Sequence, residues 1–315
     1  MSGRCLVVMY HYVRDAAVTP FPEIRALPPA VFAQQLDWLE RHYHVIRPGE
    51  MEAALDGAPL PPDAALLTFD DGLVDHDEAV TTELRRRGLS AIVFVAGEAT
   101  GAVRRVLPVH KTQFLLARLG ADALGRAVVE RGATTEARGV TSRPFGEDVW
   151  EHSDERAIKN LLNYDLPFDV AERLLADLFA EHIGDETTFA RSLYLDETRV
   201  AAMARQGIVF GYHTRSHRML SRLTRDEQRL ELEGGVRWIR ELTGQHGVPF
   251  CYPWGGPGTY TAETVALLAE LGYSMAFNTV RRRVELDRDG RFELPRLDAR
   301  DLPPYANSEP GVEPS

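Results

Sequence analysis

The stretch Leu66-Leu67-Thr68-Phe69-Asp70-Asp71-Gly72 ends an apolar run that starts at Ala64, and it stops on two carboxylates and a glycine. Such a run reads as a buried strand, and in parallel α/β sheets the carboxyl ends of strands are where active sites form. Gly72 allows a sharp turn there. Consecutive side chains diverge, so two neighbouring acids can serve one site from different angles, one on a metal and the other facing a water. The competing reading is an Asp-Asp-Gly turn that caps a helix.

Working outward, short apolar runs recur at Cys5 to Tyr10, Ala91 to Ala96, Ile208 to Tyr212, Val248 to Tyr252 and Ser274 to Asn278. Stretches of helical period lie between them. In Val31 to Tyr43, Phe32, Leu36 and Leu39 share one face at i, i+4 and i+7. Thr224 with Glu227 is a capping-box pair expected to open one helix carrying Leu230, Val236 and Ile239. This alternation of strand and helix predicts an α/β fold, a βα barrel with a largely parallel sheet.

From about Gly101 to Asp196 the rhythm breaks, and only helical patterns remain, such as Leu174, Leu175, Leu178 and Phe179. Gly132 to Gly146, rich in Gly, Thr, Ser and Pro, reads as a loop within that stretch. The expected organisation is a discontinuous barrel over 1–100 and 196–302, a helical insertion or cap over 101–195, and a proline-rich mobile tail over 303–315.

The chain has 315 residues, 44% of them hydrophobic and 26% charged, so it can bury a substantial core and does not have the composition of a disordered chain. A formal net charge of −11 argues against a broad grip on nucleic acid, which depends on Lys and Arg displacing counterions from phosphates. The Arg85 to Arg87 and Arg281 to Arg283 runs lack interleaved aromatics and are expected to be solvated faces. Cys5 and Cys251 are the only cysteines, too few for a disulfide framework and without zinc-ribbon spacing. The apolar run at the start of the chain is too short for a secretory leader or a membrane span, so a cytoplasmic location is expected.

Three further segments carry chemistry. Gly211-Tyr212-His213-Thr214-Arg215-Ser216-His217 follows a strand and places histidines at i and i+4, which converge on one ion if the segment takes a helical turn. Two histidines and one aspartate leave a coordination position open for water or substrate, the mark of a catalytic rather than a structural metal site. Val248-Pro249-Phe250-Cys251-Tyr252-Pro253-Trp254-Gly255-Gly256-Pro257-Gly258 runs from a strand into aromatics and glycines, which suits either a sugar pocket with an oxyanion hole or a plain loop over a core aromatic. Met9-Tyr10-His11-Tyr12-Val13 puts a histidine at the end of the first strand. Asp75-His76-Asp77-Glu78 reads as a helix start with acids at its positive end rather than a cation site, and His110 and Lys111 read as a solvated helix face.

Together, the TFDDG, HTxSH, YPWG and YHYV segments and Leu294-Pro295-Arg296-Leu297 resemble the polysaccharide deacetylase family, also called the NodB-homology or carbohydrate esterase 4 family. The wording is most similar to the branch that begins with a YHxV strand. The resemblance covers about 5–100 and 196–300 and implies a distorted (β/α) barrel of the NodB-homology type. It implies that Asp71, His213 and His217 hold a divalent metal, with Zn2+ suiting the ligand types best, and that Asp70 is the base that deprotonates the attacking water. Other members take the catalytic acid from a histidine near the C-terminal end. No histidine follows His246 here, and in the YHxV branch, whose barrel looks circularly permuted, His11 is the matching position. Cys251 stands where the third motif usually begins with an arginine that orients the base, and Arg296 is the candidate to reach Asp70 instead.

The activity implied is hydrolysis of an N-acyl, expectedly N-acetyl, amide on an amino sugar. The backbone N–H of Trp254 is the candidate oxyanion donor, and Tyr12, Tyr212 and Tyr252 are candidate substrate-stacking residues. An N-acetylated amino sugar or glycoconjugate is the expected partner, without nucleic acid or a membrane span; nothing in the sequence fixes the oligomeric state. Two alternatives stand beside this: a deacetylase of an exported polysaccharide and, from another class, a catalytically silent carbohydrate-binding barrel. A metal-independent enzyme acting on cyclic amides fits less well, because the Asp-His-His set is complete.

Overall fold

The computed structural model describes residues 3–131 and 153–306. The loop expected at Gly132 to Gly146 lies outside these residues, as does the tail beyond Ala306. The chain forms two compact units. One comprises Met1–Arg14, Ala26–Val103 and Leu193–Ser315, and the other comprises Asp15–Arg25 and Arg104–Ser192. The short segment Asp15–Arg25, which the sequence groups with the barrel, is therefore part of the second unit.

The first unit is a curled sheet of mainly parallel strands surrounded by helices, a (β/α) barrel. Its central strands are β1 (Arg4–Tyr10), β3 (Ala64–Phe69), β4 (Ile92–Val95) and β5 (Val209–Tyr212), followed by the two-residue strands β6 (Phe250–Cys251) and β7 (Ala276–Phe277). β1 and β3 pair in parallel from Cys5 with Ala64 to Tyr10 with Phe69, and every residue of β3 is buried. That burial on both faces explains why the run is continuously apolar rather than alternating. β2 (His44–Val45) pairs with the start of β3, and β8 (Val284–Glu285) runs antiparallel to the start of β1.

The segment around Arg296 links the two flanks of this sheet. Leu294 bridges to Phe277 of β7, while Leu297 and Asp298, forming β9, pair with Val8 and Met9 of β1. The carboxyl ends of β1, β3, β5 and β6 thus open on one end of the barrel, and Arg296 is threaded beneath them.

Helix Pro29–His42 buries Phe32, Leu36 and Leu39 against the sheet, as their spacing predicts. The capping box at Thr224 and Glu227 is present, but the helix expected beyond it is two: Arg225–Leu232 and Gly235–Thr243, broken at Gly234, whose φ is +78°. Leu230 consequently lies exposed rather than on a buried face. The arginine runs are also not simply solvated. Arg87 is largely buried among Asp37, Glu40 and Glu83, and Arg282 pairs with Asp289.

The second unit is helical. Helices Pro108–Glu130, Ser153–Asn160 and Phe168–His182 surround a core that includes Leu115, Leu124, Leu162, Leu175 and Leu178. His110 and Lys111 are buried within it, contrary to the solvated face expected, and Lys111 Nζ lies 2.9 Å from a Glu186 carboxylate oxygen. Among the described residues, no helix is long and apolar enough to cross a membrane. The tail is turned at its start, where Tyr305 and Ala306 donate to the Leu302 carbonyl.

Candidate active site

Each element of the site leaves a strand at the open end of the barrel. β3 delivers Asp70 and Asp71, and the chain turns there with positive φ at both Asp71 (+74°) and Gly72 (+63°). Any side chain at Gly72 would press on Val95, its Cβ coming to 2.8 Å of Cγ1, so this turn is built for glycine. β5 delivers His213 and the loop to His217. That loop is held by its own polar groups: the Thr214 hydroxyl accepts from the His217 N–H at 2.9 Å, and Glu231 accepts from Ser216 N at 2.9 Å and Ser216 Oγ at 2.6 Å. Glu231 is buried, and its part in holding the loop is invisible in the motif.

Asp71, His213 and His217 present ligand-type atoms within 4.8 Å of one another. His213 Nε2 is 3.6 Å and His217 Nε2 3.5 Å from Asp71 Oδ1. His213 Nδ1 lies 2.7 Å from the Cys251 carbonyl, which only accepts, so Nδ1 carries the proton and Nε2 turns its lone pair towards Asp71. Burial pushes His213 below the ordinary histidine value, against the pull of Asp70 and Asp71, and this favours the neutral, ligating form. One carboxylate and two imidazoles at this spacing fit a divalent cation, and zinc suits the donor types.

A second set, Asp70, His213 and Cys251, also lies within 4.8 Å, but a cation already occupies its neighbourhood. The Arg296 guanidinium binds Asp70 in a fork, Nη1 to Oδ1 and Nη2 to Oδ2 at 2.8 Å each, and Nη2 is 3.0 Å from the Cys251 sulfur. Its remaining donors reach the Asn278 carbonyl and the Thr68 hydroxyl, so the group is fully engaged while buried. Burial alone would raise the Asp70 carboxyl, but Arg296 holds it below the usual carboxylate value. A metal beside that fork would meet a fixed positive charge, which leaves the Asp71 set as the one suited to an ion. Burial also raises the Cys251 thiol, keeping it neutral.

His11 follows β1 and brings Nε2 to 3.9 Å of Asp70 Oδ2, with 42% of its side chain open to solvent. Trp254 takes a left-handed backbone (φ +67°) after β6, and its ring lies 5.7 Å from that of His217. The structure therefore gathers Asp70, Asp71, His213, His217, His11, Arg296 and Trp254 at one end of the barrel. Tyr12 is buried beneath the Arg14 guanidinium, 5.1 Å from its ring centre, and the charge of Asp71 reaches it. Two sequence candidates belong elsewhere. Tyr252 is buried, donates to the Phe292 carbonyl at 2.8 Å and stacks on Tyr260, while Tyr212 is packed between Tyr273 and Trp238. Both are core residues, because their strands aim those side chains into the barrel wall and not at the open end.

A parallel barrel with this carboxylate and imidazole cluster at its open end defines a protein of the deacetylase barrel type. Residues 57–276 match the family model for polysaccharide deacetylase, and the chain belongs to that family. The fold is similar to that of the Streptococcus pyogenes deacetylase PplD, solved in complex with acetate, at TM-score 0.59 and 17% identity over 96% of this chain and 95% of that one. It is similar to IcaB from Ammonifex degensii (TM-score 0.55, 19% identity, 94% and 92%) and to the BpsB deacetylase domain from Bordetella bronchiseptica (TM-score 0.56, 16% identity, 94% and 95%). An uncharacterised 30.6 kDa protein of Geobacillus stearothermophilus is 29% identical over 105 residues, a stretch spanning 33% of this chain and 39% of that protein.

Proposed function

We propose that the protein is a metal-dependent deacetylase that hydrolyses an N-acetyl group on an amino sugar, giving the free amine and acetate. The observation that carries this reading is the division of labour between adjacent carboxylates: Asp71 faces two imidazoles, while Asp70 is held ionised by Arg296. Asp71, His213 and His217 would hold the ion. When bound, it would polarise the acyl carbonyl and lower the pKa of a water.

Asp70 is the base in this scheme. The Arg296 fork fixes its plane and keeps it deprotonated, so its oxygens accept a proton from the water that attacks the carbonyl carbon. The Trp254 N–H is proposed as a donor to the oxyanion that forms, a contribution of about 3 kcal/mol for one such donor. His11, whose Nε2 lies 3.9 Å from Asp70 Oδ2, would give a proton to the nitrogen as its bond to carbon breaks, an effect of roughly 10²- to 10⁴-fold. The position of β1 beside β3, which brings the N-terminal histidine to the site, supports membership of the permuted branch.

For the substrate we favour a soluble glycoconjugate precursor over a wall polymer, and a cytoplasmic location with it. The acidic chain and the two buried, unpaired thiols support that choice. The test is acetate release from a panel of N-acetyl amino sugars by chelated protein with and without added Zn2+. Added metal is expected to restore turnover, and Asp71→Asn or His213→Ala to abolish both metal binding and turnover. Retention of both by either variant would refute the ligand set. Metal binding without turnover on any substrate would favour the silent carbohydrate-binding barrel.

A further inference from the structure

The sheet carries His11 only part of the way to its place. The last pair of the β1–β3 ladder is Tyr10 with Phe69, closed by the Asp70 N–H donating to the Tyr10 carbonyl. Beyond it, the His11 carbonyl and the Val13 N–H face the same side, as a carbonyl at i and an N–H at i+2 do in extended chain. Among the described residues, no strand stands on that side. Two consecutive side chains, Asp75 and His76, stand there instead. His76 Nε2 lies 3.0 Å from the His11 carbonyl oxygen, and Asp75 Oδ2 accepts from Val13 N at 3.1 Å and from Arg14 Nε at 2.8 Å.

We propose that His76, seconded by Asp75, is a positioning residue that sets the catalytic acid: it replaces the missing strand and fixes the backbone from which the His11 imidazole reaches Asp70. This rests on the reading of His11 as the acid given above. The tautomer follows from the partners. A carbonyl accepts only, so His76 must carry its proton on Nε2, and its buried Nδ1 has no hydrogen-bond partner among the described residues.

A ring kept only for packing would gain nothing from this arrangement, since a phenyl group fills the same place against Phe69 without leaving a buried nitrogen unsatisfied. The local chain is shaped to aim the pair inward. A π-type turn, His76–Thr81, opens here, and the Thr81 hydroxyl donates to the His76 carbonyl at 2.6 Å. The next two acids, Asp77 and Glu78, face Arg199 instead. Fixing the backbone matters because the His11 side chain is itself open to solvent and little restrained by packing.

The test compares leaving groups. An N-acetyl amino sugar needs a proton on its departing nitrogen, whereas an aryl acetate such as 4-methylumbelliferyl acetate leaves as a stable phenolate and does not. His76→Phe is expected to lower kcat on the amide about tenfold or more, within the range such proton donation contributes, with KM and ester hydrolysis changed less than about threefold. His76→Gln, whose amide N–H can reach the same carbonyl, is expected to recover most of the amide rate. Equal losses on amide and ester, or a Gln variant no better than Phe, would overturn the proposal.

A second readout needs no turnover. In chelated protein, ring 15N resonances should show His76 protonated on Nε2, and the His11 carbonyl 13C shift should move in His76→Phe but not in His76→Gln. An Nδ1-protonated ring, or an unmoved carbonyl, would refute the clamp. If wild-type protein turns over no N-acetyl sugar while the spectra behave as expected, the functional reading fails and the clamp stands.

Discussion

Arg296 is buried with only one carboxylate, Asp70, on its fork, and neither charge has water to fall back on. Removing one partner of such a pair leaves the other stranded, a loss of about 3–5 kcal/mol. Arg296→Ala should therefore cost stability of that order and also let the Asp70 carboxyl rise with burial, shifting the acid limb of the kcat/KM profile to higher pH. Arg296→Lys keeps the charge but not the fork, so it should restore most of the stability and little of the rate. Thermal unfolding together with a pH–rate profile checks both halves, and an unmoved acid limb in Arg296→Ala would refute the role. Sequence alone could nominate Arg296 only by the absence of an arginine at Cys251. The contact joins positions 226 residues apart, so no local pattern records it. The same holds for Glu231 on the HTRSH loop and His76 on His11: each is a hydrogen bond across the fold.

At the scale of elements, legibility follows burial and length. β1, β3, β4 and β5 announce themselves because runs of four to seven residues are enclosed by neighbours on both sides, so nearly every position must be apolar. β6 and β7 each pair over two residues only, shorter than the runs at Val248 to Tyr252 and Ser274 to Asn278, although flanking positions still bond across, Ser274 N–H to the Val248 carbonyl and Tyr252 N–H to the Phe277 carbonyl. The break at Gly234 escaped the helical period because apolar residues continue on its far side. Turn geometry, by contrast, was written plainly in TFDDG. Gly72→Ala would force a side chain into the left-handed region and against Val95, at a cost of roughly 1–3 kcal/mol. Since Asp71 shares that turn, the variant should lose affinity for Zn2+ along with stability. Titration of the chelated, refolded protein with Zn2+ would measure this, and wild-type affinity in a destabilised Gly72→Ala would show that the turn does not set the ligand.

The barrel as a whole gathers ionisable groups whose folded environment resists protonation, and their sum fixes how the molecule responds to acid. Burial lowers His76 and His213 from 6.5, Arg296 overrides burial to lower Asp70 from 3.8, and hydrogen bonds from Arg86 and then Arg87 bring Glu83 from 4.5 to about 2. In each case the unfolded chain binds the proton more readily than the folded one. Stability is then fully present above the unfolded values and is lost as pH falls. Asp301, raised by burial, works the other way, but it is one carboxyl against several. Metal-free protein should therefore keep a constant unfolding midpoint from about pH 8 to 7. It should begin to lose stability near 6.5 as the unfolded histidines take protons, and fall more steeply from 4.5 towards 2 as the carboxylates do. Trp38, Trp238 and Trp254 belong to the barrel, so their fluorescence follows this unit. His76→Gln removes one of the two imidazoles that burial lowers, and should flatten the limb near pH 6.5 while leaving the carboxylate limb in place. A midpoint independent of pH from 8 down to 5 in wild type would mean that the buried imidazoles are not held neutral by the fold, and would remove the physical basis for a preformed ligand set.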